Sequence, residues 1–199
     1  MDSIEFWYEF ASPYSYMAAE RIGRMAEAAG VAVQWCPFVI GPILMRRPGH
    51  ASPFQEAPPA QKRYRQRDVE RLCGQYAIAL SWPSTYPRSG LLAARVALAA
   101  GEDWRIPFSR AVYRANFVED RDIADPATIG GILEEIGQDA TAVLQAALVP
   151  ANKALLAARV EQAMEKGIFG APSFLVGGEL FWGNDRLEQA LHWARHPWV

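Results

Sequence analysis

The sequence contains few cysteines and histidines, and this narrows the chemistry that the chain can perform. Only two cysteines, Cys36 and Cys73, and three histidines occur among 199 residues. The cysteines are far apart and form no Cys-x-x-Cys pair, so the sequence offers no redox dithiol. No group of histidine, cysteine and acidic residues has the spacing of a zinc site. We therefore predict that no metal is bound.

Net charge is also small, and long apolar runs are missing. The formal charge of −2 gives no reason to expect nucleic acid or a membrane surface as a partner. No stretch reaches the roughly 18 apolar residues of a membrane span. The sequence begins with a predicted strand and not with the basic-then-apolar pattern of a signal peptide. The cysteines lie in apolar surroundings typical of buried, reduced thiols, so we expect a cytoplasmic protein.

The most informative stretch is a predicted strand that leads directly into a helix. The residues from Ile4 to Phe10 are rich in aromatic side chains and predict a strand. Ser12 is a good N-cap, and Pro13 suits the first position of a helix that runs to about Ala29. Ser12 is therefore predicted at a helix N-terminus, where unpaired N–H groups favour an anion.

The turn itself resembles a redox motif that has lost its thiols. Ser12-Pro13-Tyr14-Ser15 has the pattern of the Cys-Pro-Tyr-Cys motif of thioredoxin-fold redox proteins, with serine in place of both cysteines. Serine cannot supply a thiolate at neutral pH, whereas thiol chemistry requires one. Two interpretations follow. Either the site is inactive and Ser12 only caps the helix, or the turn holds the thiolate of another molecule.

The remainder of the chain divides into a helical middle and a late return to strands. Val31 to Phe38 predicts a second strand, parallel to the first, and the proline-rich stretch from Ile40 to Pro59 predicts an irregular, functional loop. Helical patterns then cover residues 60–77, 88–100, 104–118, 125–137, 139–147 and 150–166. Two further strands surround the turn Gly177-Gly178, and a last helix starts at Asp185 with Glu188 completing a capping box.

This order predicts an α/β protein with a thioredoxin-like fold and a large all-helical domain inserted between its βαβ and ββα halves. Residues 1–42 and 167–199 form the thioredoxin-like domain in this interpretation, and residues 43–166 form the insert. In such a fold the proline before the third strand is usually cis and faces the active turn. We therefore expect Ala171-Pro172 to lie opposite Ser12.

Three distant stretches should thus meet: the Ser12 turn, the Ala171-Pro172 edge, and the helix start at Trp182-Gly183-Asn184-Asp185. Together they offer a thiol-binding end, a backbone edge that can pair with a peptide, and an acidic side chain beside free N–H groups. Asp185 suits an amine, and the N–H groups suit a carboxylate. Glutathione has this layout of thiol, peptide and α-amino acid, and Trp182 would form a wall of its site.

Four sequence stretches together resemble a known family. They are Phe10–Tyr16, Phe169–Phe174, Phe181–Leu187 and, in the helical part, Phe117–Asp125. The chain is similar over essentially its whole length to the 2-hydroxychromene-2-carboxylate isomerases, which are relatives of kappa-class glutathione transferases and of DsbA-type oxidoreductases.

The resemblance implies a glutathione-dependent cis–trans isomerisation of an aromatic carboxylate, in aromatic-compound catabolism. Ser12 would be the catalytic residue and would stabilise the glutathione thiolate. The implied contacts to glutathione are Ser12, Ala171, Pro172, Trp182, Gly183, Asn184 and Asp185. Family members are commonly dimers, so the resemblance also implies a homodimer. A kappa-type glutathione transferase and a non-catalytic module that binds thiol peptides remain the alternatives.

The substrate side departs from the family pattern. A family lysine is replaced by Met45, and Arg46 is a candidate to bind the substrate carboxylate in its place. A family asparagine corresponds to Gln55, or to His50 if the loop is shifted, and Tyr86 aligns loosely with a family substrate contact. A basic stretch of Lys62, Arg63, Arg65, Arg67 and Arg71 predicts a solvated helix face, of which one member meets a carboxylate of glutathione or substrate.

Overall fold

The computed structural model describes residues 3–46 and 57–197. A central four-stranded sheet has the order β2-β1-β3-β4, in which β1 (Ser3–Tyr8) and β2 (Ala32–Pro37) are parallel. Strand β3 (Ser173–Val176) runs antiparallel to β1 and forms a hairpin with β4 (Glu179–Trp182). The hairpin turn contains Gly177 and Gly178, both at positive φ, as a two-residue turn requires. The predicted βαβ and ββα halves are thereby confirmed.

Helix α1 (Pro13–Ala29) joins β1 to β2 and begins as predicted. Ser12 is its N-cap, and Gly30 ends it in the left-handed conformation with φ of 64°. The helix buries Tyr16, Ala19 and Ile22 in the main hydrophobic core. Ser12 is therefore held between a buried strand and a buried helix.

Helices occupy the described part of the chain between β2 and β3. They are α2 (Gly41–Met45), α3 (Pro59–Tyr76), α4 (Leu91–Ala99), α5 (Glu102–Phe117), α6 (Pro126–Glu135), α7 (Ala140–Leu148) and α8 (Pro150–Glu165). The six predicted helical segments are confirmed, with ends that differ by at most three residues. The division of the chain at 42/43 and 166/167 stays a prediction.

Helix α2 lies where we predicted irregular structure, so that part of the prediction is wrong. It has only five residues, too few for a periodic pattern, and such a helix depends on tertiary contacts. Its Ile43 is buried in a small hydrophobic cluster with Trp7 and Phe38.

The last helix starts differently from the prediction. A single 3₁₀ turn, Asn184–Arg186, precedes α9 (Leu187–Arg195), and Gly183 caps this turn without a side-chain hydrogen bond. The predicted capping box of Asp185 and Glu188 is wrong, because Glu188 pairs with Arg21 of α1 instead. A long-range ion pair with Arg21 has replaced the local hydrogen bond to the backbone that the capping-box pattern indicated.

Aromatic side chains connect the sheet to α5 immediately beneath the Ser12 turn. Phe10 contacts Tyr113 with ring centroids 5.3 Å apart, and the Tyr113 hydroxyl donates to the backbone oxygen of Glu9 at 3.0 Å. The Asn116 side chain donates to the Phe10 oxygen at 3.4 Å. Each buried aromatic side chain contributes roughly 2–3 kcal/mol, so this packing holds the turn in place.

No single helix in the described ranges has both the length and the apolar character to cross a bilayer. Helices α7 and α8 have the length and apolar composition of a membrane span only when they are taken together, and the chain bends by 65° between them.

Candidate functional site

Ser12 lies at the junction of the turn and the β3 edge. The residue is 8% exposed. Its Oγ accepts a hydrogen bond from the Ser15 N–H at 3.1 Å and donates to the Ala171 carbonyl oxygen at 3.3 Å. The second bond is long for a hydroxyl donor. A negatively charged acceptor would form a shorter and stronger bond with the same proton.

The second serine of the turn, Ser15, has a structural role. Ser15 is fully buried, and its Oγ accepts the Glu9 N–H at 3.4 Å. The Glu9 carbonyl in turn accepts the Ser12 N–H at 3.2 Å. These bonds close the turn from inside and leave Ser12 as the serine at its outer edge.

Glu9 contributes a buried carboxyl close to this turn. Its Oε2 accepts the Ile40 N–H at 3.1 Å, where α2 begins. Burial raises the pKa of Glu9 to about 7, although the Ile40 bond counteracts part of that increase. Sequence reasoning missed Glu9; a glutamate between the aromatic residues Tyr8 and Phe10 was the available signal.

Neither cysteine belongs to the site. Cys36 and Cys73 are buried free thiols, and burial raises the pKa of each to about 11. A thiol with such a pKa is protonated at neutral pH and is a poor nucleophile. Any thiolate at Ser12 must therefore come from another molecule.

The Ala171-Pro172 edge stands where we predicted it, and its peptide bond is cis. The Ala171 carbonyl oxygen accepts the hydrogen bond from Ser12 Oγ. The Pro172 carbonyl oxygen accepts the Gly183 N–H at 3.0 Å, which ties this edge to the 3₁₀ turn. The three stretches that the sequence predicted to meet are thus joined by hydrogen bonds.

Trp182 forms an exposed aromatic wall beside the edge. The residue is 54% exposed, and its ring packs edge-on against Phe169 with centroids 4.9 Å apart. The indole lies so close to Gly170 that a Cβ there would be 2.1 Å from Nε1. Position 170 must therefore be glycine for the Trp182 ring to pack against the backbone that leads to Ala171.

The 3₁₀ turn presents two different polar side chains. Gly183 has φ of 114°, which favours glycine, and the Asp185 carboxylate above it is mostly exposed. Asn184 is only 2% exposed; its Oδ1 accepts from Arg21, and its Nδ2 has no hydrogen-bond partner among the described residues. A buried, unpaired donor is costly, and a bound carboxylate at this turn would satisfy it.

A cavity of about 270 Å³ opens beside the Ser12 turn. Pro13 and Tyr14 form its α1 side, and Trp82 and Tyr86 form an aromatic side in which their rings meet edge-on at 5.3 Å. Other lining residues are Lys62, Arg65, Gln66, Val69 and Pro83. Aromatic walls with cationic groups suit a flat aromatic acid.

The residues predicted for the substrate are not all found together. Tyr86 lines the cavity beside Pro13, and its role as a substrate contact stays a prediction. Met45 is 75% exposed at the end of α2, and Arg46 forms a two-bond ion pair with Glu161, at 2.7 and 3.2 Å. Gln55 lies outside the described residues, as does the alternative His50.

Arg21 and the aromatic side chains Tyr14 and Trp82 were missed. Arg21 gave no local signal, because its partners come from α3, the 3₁₀ turn and α9. Among the described residues, no group of three or more histidine, cysteine and acidic side chains is arranged to hold a metal ion.

Comparison with protein families shows a match to the DsbA-like thioredoxin domain over residues 3–192. A 2-hydroxychromene-2-carboxylate isomerase of Sphingobium xenophagum is 29% identical over 186 residues, covering 94% of this chain and 94% of that protein. The human protein glutathione S-transferase kappa 1 is 24% identical over 212 residues, covering 99% and 92%.

Solved structures give the same fold. A selenomethionine 2-hydroxychromene-2-carboxylate isomerase superposes with a TM-score of 0.84 at 24% identity, and the match covers 94% of this chain and 91% of that one.

Proposed function

Because the chain belongs to the family of DsbA-like thioredoxin domains but has serine where a thiol would stand, we propose that it is a glutathione-dependent isomerase of 2-hydroxychromene-2-carboxylate-type aromatic carboxylates. The observation that carries the proposal is the contact of the Ser12 hydroxyl with the Ala171 carbonyl at 3.3 Å, in a turn without cysteine. Similarity to the Sphingobium isomerase over 94% of both chains supports the reaction class.

The chain's polar groups fit glutathione in three places. Ser12 would donate its proton to the sulfur, and the backbone at Ala171-Pro172 would pair with the peptide. Asn184 Nδ2 and the N–H groups of the 3₁₀ turn would bind the α-carboxylate, and Asp185 the amine. The buried, unpaired Nδ2 of Asn184 supports this assignment, and Trp182 with Gly183 would complete the walls.

Glutathione held at Ser12 would supply a nucleophilic thiolate for reversible covalent catalysis, in which the substrate's conjugated C=C would become a rotatable single bond while a C–S bond exists. Ser12 lowers the thiol pKa by donating a charge-assisted hydrogen bond, worth roughly 1.5–3 kcal/mol. That corresponds to about one to two pKa units. The N-terminus of α1 adds to the effect because its dipole favours negative charge.

The cavity beside Pro13 would hold the substrate. Its aromatic walls, Trp82 and Tyr86, suit the fused ring, and Arg65 or Lys62 suits the carboxylate. Arg46 is the alternative partner for the carboxylate, but it would have to leave its ion pair with Glu161.

The test is a spectral assay of 2-hydroxychromene-2-carboxylate with purified protein, in the presence and absence of glutathione. We expect conversion to the open-chain hydroxybenzylidenepyruvate only when glutathione is present. Conversion at the same rate without glutathione would contradict the cofactor assignment. No conversion by a protein that binds glutathione would contradict the isomerase assignment.

A second candidate is a kappa-type glutathione transferase, which the similarity to human glutathione S-transferase kappa 1 favours. It would use the same Ser12 turn but would not return the thiol. Mass analysis of the products distinguishes the two, because a transferase forms a stable glutathione conjugate.

A further inference from the structure

The buried guanidinium of Arg21 stands behind the 3₁₀ turn. Its side chain is only 8% exposed. Nη1 donates to Asn184 Oδ1 at 3.1 Å, and Nη2 pairs with Glu188 at the start of α9. On its flat side, Cζ lies 3.8 Å from the centroid of the Tyr76 ring at the end of α3. One side chain thus joins α1, the turn and α3.

Arg21 decides which way the Asn184 amide faces. A guanidinium has only donors, so it must meet the amide oxygen and not the amide nitrogen. With Oδ1 held at Arg21, the Nδ2 donor of Asn184 is directed away from α1. Asn184 is almost fully buried, and its Nδ2 has no hydrogen-bond partner among the described residues that could hold the opposite orientation.

We propose that Arg21 is a positioning residue that sets the Asn184–Arg186 turn to recognise the γ-glutamyl head of glutathione. This inference rests on the proposed function, since it assumes that the turn binds glutathione. Arg21 acts through Asn184 and is not itself a ligand. Its two hydrogen-bonding directions and its aromatic contact require a planar fork, which lysine does not provide.

The role predicts a specific defect. Cysteinylglycine carries the thiol and the peptide of glutathione but lacks the γ-glutamyl head. If Arg21 sets the head site, its loss weakens the binding of glutathione and leaves the binding of cysteinylglycine nearly unchanged. A general loss of structure would weaken both ligands alike.

The experiment measures the dissociation constants of both ligands by calorimetry for the wild type, Arg21→Met, Arg21→Lys and Glu188→Gln. We expect Arg21→Met to reduce the preference for glutathione over cysteinylglycine by about tenfold, the effect of one lost hydrogen bond. Arg21→Lys should show an intermediate loss. Glu188→Gln keeps the Arg21–Asn184 bond and should keep most of the preference.

Kinetics provide a second readout. In Arg21→Lys the KM for glutathione should rise while kcat at saturating glutathione stays near that of the wild type. An unchanged ligand preference in Arg21→Lys and Arg21→Met would overturn the inference. If Arg21→Met does not fold, Arg21→Lys decides alone. A wild type that does not bind glutathione would instead overturn the proposed function, and the inference with it.

Discussion

One oxygen atom of Ser12 serves both the helix and the proposed ligand. Its lone pair caps α1 through the Ser15 N–H, while its proton is shared with the Ala171 carbonyl. Capping and thiolate binding are compatible, because one uses the acceptor and the other the donor capacity of a hydroxyl.

Replacing Ser12 by alanine should separate these roles. We expect the glutathione-dependent rate to fall by roughly 10- to 100-fold, because the bound thiol loses a charge-assisted hydrogen bond. The ultraviolet absorbance of the bound thiolate should show a thiol pKa raised by about one to two units.

Loss of the cap alone costs about 1 kcal/mol of stability. Ser12→Thr, which keeps a hydroxyl, is the matched control and should keep most of the rate. An alanine variant with an unchanged rate at saturating glutathione would be incompatible with the assigned role of Ser12.

Glu9 makes the stability of the protein depend on pH. In the folded state burial raises its pKa to about 7, whereas the unfolded value is near 4.5. Between these values the folded protein holds a proton that the unfolded chain has lost, so stability falls as pH rises through this window. At 1.4 kcal/mol per pKa unit, the loss is complete above pH 7 and amounts to about 3 kcal/mol.

Glu9→Gln removes this titration and keeps an oxygen acceptor for the Ile40 N–H. Urea unfolding at pH 5 and pH 8 should show that the wild type loses about 2.5 kcal/mol more than Glu9→Gln over this interval, because part of the loss has already occurred at pH 5. Glu27→Gln, on the exposed face of α1, serves as the control. Equal pH dependence in wild type and Glu9→Gln would show that the carboxyl is not held protonated.

At the scale of elements, α3 supplies the cationic side of the cavity. Arg65 is half-buried on the helix and lines the cavity, whereas Arg63 is exposed and does not line it. The two arginines carry the same charge at nearly the same place in the sequence, so they form a matched pair for a test.

Arg65→Met should raise the KM for the aromatic carboxylate by about tenfold, because the proposed hydrogen-bonded ion pair between Arg65 and the substrate carboxylate is lost. Arg63→Met should leave KM unchanged. Arg46→Met tests the alternative: if it raises KM and Arg65→Met does not, the carboxylate binds near α2 and not at α3.

At the scale of the whole molecule, the family resemblance predicts a homodimer. Large apolar side chains stay exposed where α7 meets α8, namely Leu148, Val149 and Leu155. Exposed apolar surface of this kind is typical of interfaces between chains.

Light scattering after size-exclusion chromatography should give twice the mass of one chain. Leu155→Glu should shift the mass toward that of a monomer while circular dichroism remains unchanged. A single-chain mass for the wild type at every concentration tested would contradict the dimer.

The sequence alone determined the order of the strands and the longer helices. It also placed Ser12 at one end of the candidate site and Asp185 at the other. The aromatic strand followed by Ser12-Pro13, the helical periodicity, and the Gly177-Gly178 turn are local signals, because each depends on residues within one or two turns of chain. They predicted the sheet and the longer helices to within a few residues, but not the five-residue helix α2. The predicted topology then brought together the three stretches that form the candidate glutathione site, and the resemblance implied the reaction.

Only the tertiary structure decided what lies behind and beside those stretches. The contacts of Arg21 with Asn184 and Glu188 span more than 160 positions in the sequence, and the burial of Glu9 depends on packing against α2 and α5. The capping box failed for the same reason, since Glu188 found a buried cation and not its local backbone. Burial and distant charges arise when separate segments pack together, and no local pattern encodes them.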